Sequence, residues 1–197
     1  MFAYCGNNTV LFVDLTGKYK VAIIGDDTQT KHNFWGLDWA GYTAFLYDIY
    51  GSDNLEIDVV RFTTAEEFVA GWNSLDDEYD ELDVFAHGYS SKPALWFQTK
   101  NEALTTTPSN GLSFSSLKHI NVRSSVQLNV CYAAKEHNNV SIGKVFANLT
   151  SHSVSASTEQ VCTFFSPWGL ELSLGWTTVY PYIEKPKSKR QSSMLVQ

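Results

Sequence analysis

Short apolar runs rich in β-branched residues recur along this chain, and the segments between them carry helical spacing. That alternation is what a mainly parallel sheet with helices on both faces requires, because parallel neighbours need crossover connections. Residues 19–25 hold the first run, Val-Ala-Ile-Ile. Residues 36–50 then place apolar side chains at mostly helical intervals and stop at Gly51. Leu55–Phe62 reads as the second strand. Thr64, with Glu67 three residues on, makes a capping box that opens a helix to about Leu75. Asp80–Ala86 is the third strand, Leu95–Gln98 a short extra one, and Ser125–Val130 the fourth. Ser113–Ile120 reads as a helix with Leu117 and Ile120 turned inward, and residues 105–116 as a loop rich in Thr, Ser, Pro and Gly. Ser141–Leu149 is a further helix and Ser153–Ser157 a fifth strand. The expected fold class is an α/β three-layer α/β/α sandwich with a mainly parallel sheet.

Composition narrows the function. The chain has 197 residues, 44% of them hydrophobic, which suits one domain with a real core. Its net charge of -7 argues against a nucleic-acid partner, because phosphate binding needs a basic surface. The basic run Lys185-Pro-Lys-Ser-Lys-Arg190 reads as a solvated polar tail. No apolar run approaches the roughly 20 residues needed to span a bilayer. No basic segment followed by an apolar one marks a signal peptide. Three cysteines, Cys5, Cys131 and Cys162, are too few and too odd in number for a disulfide scaffold.

The chemistry lies at two strand ends. The third strand runs into His87-Gly88 and the fourth into Cys131-Tyr-Ala-Ala. Ligands of open parallel sheets bind at the carboxyl ends of strands. If these two strands are neighbours, an imidazole and a thiol face one crevice. A thiolate nucleophile beside an imidazole is the equipment of acyl transfer. Gly88 would let a substrate backbone approach and could offer an N–H to an oxyanion. Asp26, Asp27 and Glu159 stand near the expected rim, where any of them could receive a basic side chain. Cys162 and the segment Phe164-Phe165-Ser-Pro-Trp168 follow the fifth strand and could line a pocket. Cys131 and His137 are too isolated for zinc, and no phosphate-binding glycine loop is present, so neither a metal nor another cofactor is expected.

Two resemblances sharpen this. A strand ending in His-Gly, then a strand ending in Cys followed by small residues, resembles the caspase-like cysteine peptidases: caspases, metacaspases, clostripain, gingipain, separase and the bacterial CHAT domains. His87 and Cys131 lie about 44 positions apart, near the roughly 50 of caspases. The chain reads Leu-Asn-Val-Cys-Tyr-Ala rather than Gln-Ala-Cys-x-Gly, which is nearer to the bacterial relatives. The resemblance spans residues 20–160 or so, within an expected domain at 19–184. It implies a protein or peptide substrate, with His87 as base and Cys131 as nucleophile.

Residues 1–18 carry Tyr4-Cys5-Gly6-Asn7-Asn8-Thr9-Val10 and then Asp14-Leu15-Thr16-Gly17. That string resembles the end of an Rhs/YD-repeat core, with Thr9 and Leu15 where that family has proline. Such cores bear variable C-terminal toxin domains, and Met1 falling inside the string suggests a tip detached from its carrier. This resemblance implies delivery by a bacterial carrier, action in a target-cell cytoplasm, and an immunity partner. Two other functions stay open at this level: a different Cys-dependent acyl transfer such as deamidation or self-cleavage, and a catalytically inactive binding module.

Overall fold

A computed structural model describes residues 19–26, 44, 54–97, 100–108, 111–161 and 175–182. The Rhs-like string at 1–18 and the basic tail at 185–197 lie outside the described residues, as do Asp27, Cys162 and most of the helix expected at 36–50. Eight strands are described: β1 (Tyr19–Asp26), β2 (Leu55–Phe62), β3 (Glu78–Gly88), β4 (Ala94–Phe97), β5 (Glu102–Thr105), β6 (Asn121–Val130), β7 (Val154–Ser157) and β8 (Trp176–Val179). Two helices accompany them, α1 (Ala65–Ser74) and α2 (Ile142–Thr150).

The sheet runs β2-β1-β3-β6-β7-β8. The first five are parallel, and β8 closes the edge antiparallel to β7. The chain is therefore α/β with a mainly parallel sheet. From β1 it steps outward to β2, then reverses across β1 to β3 and onward to β6 and β7. Crossovers of one hand put connections of opposite direction on opposite faces. Both described helices accordingly pack on one face, where Phe68, Trp72, Phe146 and Ala147 meet Leu82, Val84, Leu128 and Val130. Ala44, which is helical and lies between β1 and β2, packs on the other face against Val21, Ile23 and Phe85.

Local chemistry explains the element ends. The Thr64 hydroxyl accepts from the Glu67 N–H at 3.2 Å, capping α1. The Glu67 carboxylate reaches one residue further back than the capping box predicts, accepting from the Thr63 N–H at 2.7 Å and its hydroxyl at 2.8 Å. Those two bonds hold the Glu67 carboxyl below the usual range. Ser141 caps α2 in the same way, through the Lys144 N–H at 3.2 Å. Gly71 lets α1 settle onto β2, since a Cβ there would lie 2.3 Å from Val60.

Two expectations are corrected. Residues 113–120 do not form an α-helix; only Phe114–Ser116 coil, as a single 3₁₀ turn. Leu117 and Ile120 are nonetheless buried. They gain that burial from tertiary packing, with the Trp72 indole donating to the Lys118 carbonyl at 2.8 Å and the Ile120 N–H to the Leu149 carbonyl at 3.0 Å. The loop expected from residue 105 begins one residue inside β5, which pairs antiparallel with β4. The connection from β3 to β6 thus carries a hairpin rather than a helix among the described residues.

Charges gather at the amino end of the sheet. Lys20 sits among Asp76, Glu56 at 3.3 Å and Asp58 at 3.4 Å, and Asp76 pushes the Lys20 ammonium up. The buried Tyr79 hydroxyl donates to Asp58 at 2.6 Å; burial is the main reason its phenol is pushed above the usual range. The cleft there, about 340 Å³, is lined by this ion-pair network. His87 and Cys131 stand at the opposite end.

Candidate active site

β3 and β6 are parallel neighbours, in register from Glu81↔Ser125 to Ala86↔Val130. His87 and Cys131 each lie one residue beyond the last pair. Side chains alternate along a strand. Leu82, Val84 and Ala86 on β3, with Val126, Leu128 and Val130 on β6, point into the core beneath α1 and α2. The opposite face therefore takes Asp83, Phe85 and His87 from β3, and Gln127 and Asn129 from β6, with Cys131 the next residue of the chain after β6. With strands about 4.8 Å apart, His87 and Cys131 each follow the last register pair, Ala86↔Val130, at the carboxyl ends of the two strands. Both residues are half-buried. Beneath them lie buried polar groups. Asp83 is 4% and Asn129 7% exposed, and the Gln127 side-chain amide donates to the Asn129 Oδ1 at 3.1 Å.

Cys131 begins a tight turn immediately after β6. Tyr132 follows it with φ 58, a left-handed conformation uncommon for a residue with a Cβ. The turn is fixed by main-chain bonds: the Tyr132 N–H donates to the Glu159 carbonyl at 2.8 Å, and the Ala134 N–H to the Ser157 carbonyl at 2.9 Å. Cys131 is not in a disulfide. Its thiol donates to the Val161 carbonyl at 3.7 Å. The segment leaving β7 therefore lies along the Cys131 turn.

Gly88 acquires a definite reason. A Cβ at this position would stand 2.0 Å from the Cys131 carbonyl oxygen and 2.9 Å from Val130 Cγ1. The close approach it allows is to the backbone of Cys131 itself, not to a substrate. A Gly88→Ala chain is expected to push the ends of β3 and β6 apart. The overpacking should destabilise the fold by about 1–3 kcal/mol, read as a lower urea midpoint. It should also slow any reaction that needs His87 beside Cys131. A variant with wild-type stability and thiol reactivity would contradict this packing.

The other sequence candidates fare unevenly. Asp26 ends β1, paired with Phe62, and Asp27 is outside the described residues. Glu159 is exposed, and its main chain, rather than its carboxylate, makes the contact with the Cys131 turn. His137 lies beyond the turn, bridged to Val140. No group of three His, Cys, Asp or Glu among the described residues could hold a metal ion. No helix among them is long and apolar enough to cross a membrane.

One neighbour escaped the sequence reading. β4 folds back on β3 so that Trp96 is the register partner of His87, and the two rings lie 5.5 Å apart at 54°. The short strand read at 95–98 contains Trp96, but only the hairpin register reveals what it faces. No protein-family model matches the chain, and no curated protein matches it.

Proposed function

We propose that this chain is a cysteine peptidase of caspase-like type, acting on a protein or peptide through Cys131 and His87. The observation that carries the proposal is the in-register parallel pairing of β3 with β6 up to Ala86↔Val130, the residues immediately before His87 and Cys131. Half-burial of both suits a nucleophile that must be desolvated yet reachable.

In the proposed reaction His87 holds the thiol proton as an imidazolium, and the Cys131 thiolate attacks the scissile carbonyl carbon. As the tetrahedral adduct collapses, the C–N bond breaks and His87 gives its proton to the leaving amine. Water then attacks the thioester, giving a proton to His87; the C–S bond breaks, and the thiol or thiolate is restored. The amides of Tyr132 and Ala134 already donate to main-chain carbonyls. We assign the main-chain N–H of Gly88, the residue after His87, to the developing oxyanion. The Rhs-like string at residues 1–18 supports delivery on a bacterial carrier and action as a toxin in a target cell. Asp26, Asp27 and Glu159 remain our candidates for receiving a basic substrate side chain.

One observation favours a second reading. The thiol donates to a neutral main-chain carbonyl, that of Val161, as a purely structural cysteine does. An inactive binding module would keep its cysteine in that arrangement. Iodoacetamide distinguishes the two. In a peptidase, Cys131 should label faster near pH 6 than Cys5 or Cys162, followed peptide by peptide in a mass spectrometer. Labelling no faster than theirs would put the binding module first.

A further inference from the structure

We infer that Trp96 is a positioning residue for His87, holding the imidazole in the orientation that serves Cys131; the inference rests on the peptidase reading above. Trp96 is fixed from three directions. Its backbone pairs with His87 across the β3–β4 ladder. The flanking residues Leu95 and Phe97 are fully buried on the core face, so Trp96 must project on the His87 face. Its indole N–H donates to the Asn101 Oδ1 at 3.3 Å. Asn101 itself stands at φ 50 in the turn joining β4 to β5.

Beyond the indole the stack continues. The Tyr89 ring lies 6.2 Å from Trp96, and the Lys92 ammonium lies 4.5 Å from the Tyr89 ring centre. His87 is therefore the inner end of a row of rings built by one hairpin. Ring centroids 5.5 Å apart fall within the favourable aromatic range.

Register fixes the His87 backbone but leaves its two side-chain torsions to be chosen. The indole, on the neighbouring strand β4 and 5.5 Å from the imidazole, restricts them. Misplacement of a reacting group by about 1 Å can cost a hundredfold in rate, so the restriction matters at a dyad. The β4–β5 hairpin thereby acquires a function: it interrupts the connection between the two strands that carry the dyad in order to brace one member of it.

The test uses the full chain and iodoacetamide near pH 6, following Cys131 alone. Wild type, Trp96→Phe, Trp96→Leu, Asn101→Ala and His87→Ala are compared, with a melting temperature for each. Trp96→Phe keeps a ring against His87 and should label at close to the wild-type rate. Trp96→Leu keeps apolar bulk without a ring and should fall by about threefold or more toward the His87→Ala rate, while melting with Trp96→Phe. Asn101→Ala frees the indole but leaves the core intact; it should slow labelling even if Trp96→Leu does not fold. Equal rates for wild type, Trp96→Leu and Asn101→Ala would overturn the inference. So would equal slowing of the Phe and Leu variants in step with lowered melting temperatures, which is a structural role only. If His87→Ala labels as fast as wild type, the dyad reading itself fails, whatever the Trp96 variants do.

Discussion

A His87→Ala chain should alkylate at Cys131 about tenfold more slowly than wild type near pH 6. Two opposing effects set that size. An unassisted thiol ionises near 8.5, so only about 0.3% of it is thiolate at pH 6. A thiol paired with an imidazolium is largely ionised there, a gain of about two orders of magnitude. A less basic thiolate is also a weaker nucleophile, and that returns roughly one order. Peptide hydrolysis should suffer more, by about 100- to 10,000-fold, because it also loses the proton donor to the leaving amine. Reading both rates separates ionisation of the thiol from protonation of the leaving group. An unchanged labelling rate would mean that the imidazole does no work on the thiol.

Replacing Trp72 with alanine should destabilise the fold by about 3–5 kcal/mol. Trp72 is wholly buried and stands where three elements meet. Its ring packs edge-on against Phe146 of α2 at 5.2 Å and beside Phe68 of α1 at 6.2 Å. Its indole N–H satisfies the Lys118 carbonyl on the approach to β6. Truncation leaves a cavity between the helices and orphans that carbonyl, and each effect destabilises. Against a typical stability of about 5–15 kcal/mol, the loss would populate unfolded chain at modest urea concentrations. Trp72→Phe keeps a ring in the cavity and should recover most of the midpoint. A shift below about 1 kcal/mol for Trp72→Ala would show that Trp72 is not the keystone between α1 and α2.

The sequence revealed those elements whose boundaries are written in local chemistry. β2 matches its apolar run residue for residue, and α1 and α2 start where Thr64 and Ser141 cap them. β3 and β6 extend further toward their amino ends than their apolar runs do. Those extra residues alternate buried Tyr79 and Val122 with polar ones held across the strands, as in the Arg123–Glu78 pair at 2.8 Å. Hydrophobic pattern cannot see that kind of support. It also misled at 113–120, where the spacing of Leu117 and Ile120 imitates a helix although both are buried by what packs over them. β5 (Glu-Ala-Leu-Thr) and β8 (Trp-Thr-Thr-Val) are four residues each and owe their existence to a partner strand.

The same division runs through the site. His87 and Cys131 were legible because each ends an apolar run at the carboxyl end of a strand. Their adjacency was only conditional, because strand order in a parallel sheet is a nonlocal property. Trp96 was invisible as a site residue, since nothing near it in sequence names His87 as its partner. Glu159 was singled out for its carboxylate, whereas its carbonyl is what meets the Cys131 turn.

The central claim is that Cys131 cuts proteins, and expression of the wild-type chain and of Cys131→Ala inside bacterial cells tests it most directly. Growth and newly formed protein termini would be followed together. The account predicts that wild type arrests growth and creates termini that vanish with Cys131→Ala, the cut sites giving the residue preferred before the scissile bond. Identical growth and identical termini in the two strains, with both proteins folded and equally abundant, would contradict it.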